Sequence, residues 1–141
     1  MAFSLKIYTD SGLTTELAGN IIATQNADGS TPPVQTQLFL GSVTAGMKFQ
    51  ADSDPGVDDI VVSIADAAPG SGHETTEVKL ATTSGGLAGA TAGASLSLGV
   101  QLLSEVVNAT EFWVEVDDAT GTVGNSTELS LGTNLIVESA V

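Results

Sequence analysis

Cysteine and arginine are both absent from this chain of 141 residues. Without cysteine there is no disulfide framework, no thiolate nucleophile and no cysteine-ligated zinc centre, so stability has to come from packing and strand pairing. Basic residues are nearly missing as well: three lysines face 17 acidic residues, for a formal net charge of -14. A protein that binds nucleic acid displaces counterions with Lys and Arg, whereas this field opposes phosphates, which excludes nucleic acid and anionic membranes as partners. The single histidine, His73, lacks the companions that a zinc site needs. No apolar run approaches the length of a membrane span, and the opening "MAFSLKIYTD" lacks the apolar stretch of a secretory signal. The chain therefore reads as one soluble domain over residues 1–141, made in a reducing cytoplasm.

What is present is alternation. Phe3, Leu5 and Ile7 alternate with Ser4, Lys6 and Tyr8, and Val34, Thr36, Leu38 and Leu40 with Gln35, Gln37 and Phe39. The same period of two runs through Met47, Phe49 and Ala51, through Ile60, Val62 and Ile64, and through Thr76, Val78 and Leu80. It continues in Leu96, Leu98, Val100 and Leu102, and in Phe112, Val114 and Val116, and the chain ends with Leu129 and Leu131, then Leu135 and Val137. Successive side chains of a strand point to opposite faces, so each run is a strand with one apolar side. Between the runs stand turn formers such as "NADGSTPP", "DSDPG", "APGSG" and "DATGTVGNS". About eight to ten short strands at this spacing predict an all-β fold, a single antiparallel β-sandwich of jelly-roll or immunoglobulin-like kind. Helical turns are plausible only around "SGLTTELAG" and "SLGVQLLSEVV", and the Gly and Ala rich residues 84–94 read as a mobile loop.

The stretch most suggestive of chemistry is "ADSDPGVDDI", with Asp52, Asp54, Asp58 and Asp59 around Pro55 and Gly56. An EF-hand loop that starts at Asp52 would need oxygen ligands at its fifth and twelfth positions and Gly at its sixth, but Gly56, Ser63 and Val57 stand there. The expected structure is a turn with Pro55 in its second position. His73 precedes "ETTEVKL" at the start of a strand. No G-x-S-x-G elbow, Walker loop or dinucleotide fingerprint occurs, and the glycines of "SGGLAGATAG" lack a following lysine. No catalytic residue, metal ligand or cofactor is assigned.

Strand parity singles out a different set. If Phe112, Val114 and Val116 face the core, Trp113 faces outward between Glu111 and Glu115, and the same reasoning places Tyr8, Phe39 and Ile136 outside. Large apolar groups on a polar face suggest a partner surface. Charge points the same way: residues 1–50 carry three acids against two lysines, and residues 51–141 carry fourteen against one. The nearly neutral third is expected to dock and the acidic remainder to face solvent.

With these features the chain resembles the virion structural proteins of tailed bacteriophages. The phrases that carry the likeness are "SLKIYTDSGLTTELAGN", "QTQLFLGSVTAG", "SDPGVDDIVVSIADAAPGSG" and "FWVEVDDATGTVGNSTELSLGTNLIV". They cover most of the chain, and the likeness lies in texture and order without an invariant motif. Within that class the size is similar to capsid decoration, or cement, proteins. The resemblance implies a jelly-roll or related β fold and a dimer or trimer of the chain. It further implies that the major capsid protein is the partner on the outer surface of the head, with no enzymatic activity. Two other readings are a carbohydrate-binding module of a fibre or tail, with aromatics stacked on sugar, and a tail or head-completion component.

Overall fold

The computed structural model describes residues 4–17, 34–70, 74–117 and 129–141, and His73 lies outside the described residues. Among the described residues ten strands are present: β1 (Lys6–Tyr8), β2 (Val34–Gly41), β3 (Met47–Ala51), β4 (Val61–Asp66), β5 (Val78–Ala81), β6 (Leu96–Ser97), β7 (Leu102–Leu103), β8 (Thr110–Val116), β9 (Leu129–Thr133) and β10 (Ile136–Ala140). All pairings are antiparallel. The helical segments among the described residues are 3-10 turns of three to five residues, and none is long and apolar enough to cross a membrane. The chain is all-β, as the alternation predicts.

A four-stranded sheet, in the order β1-β2-β8-β5, runs without interruption. Its inner face carries Leu38, Leu40, Phe112, Val114, Val78 and Leu80, all buried. The other strands form two three-stranded sheets, β10-β3-β7 and β6-β4-β9. These are two halves of one interrupted layer. Read in the same direction, the halves run β10-β3-β7 and β9-β4-β6, so each position is filled by consecutive stretches of chain. Backbone bonds stitch the break: Asp52 N–H donates to the Leu135 carbonyl (2.9 Å), Ile60 N–H to Gly99 (2.8 Å), Leu98 N–H to Ile60 (2.8 Å) and Asn134 N–H to Val61 (3.1 Å). One core joins the three sheets, with Phe49 and Leu102 from one half-layer and Val62 and Leu129 from the other against the four-stranded sheet. Phe49 and Phe112 are fully buried. Side chains of this kind contribute about 1.5–3 kcal/mol each by leaving water.

The break corrects several expectations. Across it, strand parity is not preserved, because the inserted residues need not be even in number. Ile136, expected outside, packs against the core, and Leu135, expected inside, is 79% exposed. Val100, expected to share the inner face with Leu98 and Leu102, is turned outward after Gly99, whose φ of +97° breaks the run into β6 and β7. "SGLTTELAG" makes no helix over its described residues: it forms a turn in which Thr9 N–H donates to Thr15 (2.9 Å) and Leu17 N–H to Ile7 (2.8 Å). The Gly and Ala rich stretch is anchored, since Leu87, within the 3-10 turn Gly85–Gly89, is fully buried.

Candidate functional site: the outer face of the four-stranded sheet

Register builds this face. Trp113 on β8 stands opposite Gln37 of β2 and Ala81 of β5, while Phe39 stands between Tyr8 of β1 and Glu111 of β8. Phe39 and Trp113 are thus diagonal neighbours on one side of adjacent strands, within reach of aromatic side chains. Both are half-buried. The indole N–H of Trp113 donates to Glu111 Oε1 (2.7 Å), which fixes the ring along its own strand. Gln35 Nε2 donates to Glu115 Oε2 (2.9 Å), and Lys79 Nζ lies 4.0 Å from Glu115 Oε1.

Of the four residues expected outside, the structure brings Phe39 and Trp113 together. Tyr8 lies on this face by register, yet only 6% of it is exposed. The turn over residues 9–17 returns along β1, forming a bridge between Tyr8 and Glu16, and takes Tyr8 out of the solvent-facing set. Ile136 lies on β10, in the opposite layer, and packs half-buried against the core. Tyr8, covered by the turn, and Ile136, turned to the core side, therefore do not share the surface of the aromatic pair. Residues that parity did not single out complete the surface: Gln35, Gln37, Glu111, Glu115 and Lys79 surround the aromatics. Their signal was in the sequence as the polar half of the same alternation.

Two covers bound the face. At one end, Leu13 is 4% exposed and lies over Gly41, where an added Cβ would come within 2.9 Å of Leu13 Cδ1. Leu13 holds a φ of +53°, an uncommon conformation for a bulky residue. The Asp10 carboxylate secures that turn, accepting hydrogen bonds from Thr14 N–H, Thr14 Oγ1 and Thr15 N–H. These bonds, with Thr15 N–H first, hold the Asp10 carboxyl below its ordinary pKa. Lys6 pairs with Glu16 at 3.0 Å, and that bond and charge raise its pKa. At the other end, the turn Gly85–Gly89 packs against β5 and β8. The aromatics occupy the gap between the covers.

The acidic stretch folds as a turn. Val57 N–H and Asp58 N–H both donate to the Asp54 carbonyl (3.0 and 2.9 Å), and Gly56 takes a φ of +84°. Pro55 and Gly56 occupy the central positions, as expected from their backbone preferences. Ser53 Oγ donates to Asp58 Oδ2 (2.6 Å), and Ser97 Oγ donates to the Asp59 carboxylate. Among the described residues no group of three His, Cys, Asp or Glu is placed to hold a metal.

No protein-family model, curated protein or solved structure matches the chain.

Proposed function

We propose that the protein is a non-enzymatic capsid decoration protein of a tailed bacteriophage, and that it binds the outside of the assembled head and ties major capsid subunits together. The observation that carries the reading is the aromatic pair. Phe39 and Trp113 are half-buried on a sheet face whose neighbouring carboxylates, Glu111 and Glu115, already have partners. Such a face meets a protein surface without stripping water from unpaired charge. The antiparallel scaffold gives the contact a stiff base. No chemistry is needed, because a protein that binds only the assembled lattice stabilises it by mass action.

The orientation follows from the distribution of acid. Asp52, Asp54, Asp58 and Asp59 sit in the exposed loop between β3 and β4, in the layer opposite the aromatic face. The aromatic face turns to the shell and the acidic loop to solvent.

The test is co-sedimentation with expanded heads that lack the protein. Saturation at a fixed ratio to the major capsid protein supports the reading, as does loss of binding in Trp113→Ala with an unchanged fold. Binding by a handful of copies points to a tail or completion role instead, and glycan binding abolished by Trp113→Ala replaces the shell with sugar.

A further inference from the structure

Register sets Phe39 of β2 opposite Glu111 of β8, and Gln37 of β2 opposite Trp113 of β8, so that these side chains form a square block on the outer face of the four-stranded sheet. The two rings occupy one diagonal of the block, and a carboxylate and a carboxamide occupy the other. Neighbours across and along the strands are close enough to act on one group. Phe39, Gln37 and Trp113 are half-buried, and Glu111 is exposed.

The carboxylates around this block are not alike. Glu115 lies 4.0 Å from Lys79 Nζ, and Glu16, on the turn beside β1, holds Lys6 at 3.0 Å. Asp10 is bonded to Thr14 and Thr15, and Asp117 follows the last residue of β8. Lys48, the third lysine, stands on β3 in the opposite layer. Glu111 has the indole of Trp113, a neutral donor that occupies Oε1 at 2.7 Å and cancels no charge. Among the described residues no cation pairs with Glu111. Its carboxylate is therefore fixed beside the rings with its charge unbalanced.

Charge selects the occupant. Covering an unbalanced carboxylate is costly unless the partner brings a cation to it. A guanidinium suits the block better than an ammonium does. Its plane stacks on an aromatic ring, and its fork of donors can reach the Glu111 carboxylate and the Gln37 side-chain oxygen from the ring edge. The chain has no arginine, so a second copy cannot supply the group. The formal net charge of -14 draws a basic partner toward the molecule, and the rings give that partner a place to anchor.

We infer that Phe39, Trp113, Glu111 and Gln37 form a socket for an arginine side chain of the partner protein. The inference rests on the reading of this face as the shell-binding surface, and it names the group that the face receives. With the guanidinium seated, Glu111 gains a charged partner as Glu115 already has one, and no carboxylate of the block is left unpaired when the face is covered.

NMR titration of the full chain with a capped tripeptide carrying arginine at its centre tests the socket, read at the indole N–H of Trp113, the one tryptophan present. The expected result is a saturable shift that weakens when lysine replaces the arginine and fades as salt is raised. Glu111→Gln keeps an oxygen for the indole but loses the charge, and should weaken peptide binding at least about fivefold with an unchanged circular dichroism spectrum. Asp54→Asn, which removes one charge from the loop between β3 and β4, should leave binding as it was. The inference is overturned by a wild type without a saturable shift, by equal binding in Glu111→Gln, or by an equal loss in Asp54→Asn. A shift produced by methyl glucoside and not by the arginine peptide also overturns it, and assigns the rings to sugar. Retention on expanded heads separates this inference from the shell reading. Heads that hold wild type and Glu111→Gln equally keep the shell reading and overturn the socket, whereas arginine-peptide binding by a chain that no head retains supports the socket and removes the shell.

Discussion

The two layers of this protein solve the same problem differently. In the four-stranded sheet the central strands β2 and β8 run through, the outer face is polar with paired charges, and both ion pairs described, Lys6–Glu16 and Lys79–Glu115, involve its strands. In the opposite layer each of the three segments is interrupted, and four aspartates gather in the loop at the break. Continuity fixes which side chains face out, and so suits the first layer to present an aromatic surface. Interruption lets the second layer release acidic side chains to solvent, while Phe49, Val62, Leu102 and Leu129 stay against the core.

The comparison breaks most sharply through the shared core. Phe112→Ala, in the middle of the unbroken sheet, removes a ring with no exposure, and should lower unfolding stability by about 3–5 kcal/mol in a denaturant titration. A loss under about 1 kcal/mol would mean that the layers are not packed through this side chain.

Gly41→Ala tests the cover over the sheet's outer face. The new methyl would lie 2.9 Å from Leu13 Cδ1 and 3.3 Å from Ala109 Cβ, so the Leu13 side chain that seats the turn over residues 9–17 has to shift. The expected cost is about 1–3 kcal/mol. Tyr8 fluorescence should become quenchable by iodide as the residue gains exposure. Unchanged quenching with full stability would show that the turn does not shield Tyr8.

At the break, Asn134 is the pin: its Oδ1 accepts from Val61 N–H (2.9 Å) and its Nδ2 donates to the Asp59 carbonyl (3.0 Å). Asn134→Ala should cost about 1–2 kcal/mol. More tellingly, amide exchange should quicken in β4, β9 and β10 and hold steady in β2 and β8. Uniform acceleration across both layers would erase the distinction between them.

The smallest effect concerns acid. Because the folded Asp10 carboxyl is held below its ordinary value, its contribution to the turn is complete above the unfolded pKa of about 3.9 and is lost as pH falls through the depressed folded value. Carboxyl chemical shifts followed by NMR should give Asp10 a midpoint below that of an ordinary aspartate. A midpoint at or above it would contradict the bonds from Thr14 and Thr15.

The same contrast explains what the sequence could tell. Alternation in residues 34–40 and 110–116 placed Leu38, Leu40, Phe112 and Val114 inside and Phe39 and Trp113 outside, and the unbroken strands keep that parity. Ile136 and Val100 went astray because a break resets parity without leaving a periodic trace: Asn134 and Leu135, or Gly99, are enough to reverse a face. Tyr8 was on the right face but covered, a long-range fact about Leu13 and the turn that no local pattern holds. Leu87 was hidden in a glycine-rich stretch whose composition suggested a loop. The exposed valines Val43, Val107 and Val141 come from three separate segments, which only the fold brings side by side.

The central claim is that the aromatic face of the unbroken sheet binds a protein shell. The direct measurement is the number of copies retained per head, for wild type and for Trp113→Ala, on expanded heads that lack the protein. The account predicts saturation in a fixed ratio to the major capsid protein for the wild type, raised resistance of those heads to heat, and loss of both in the variant. Equal retention of a correctly folded Trp113→Ala chain, or no saturable binding by the wild type, would contradict it.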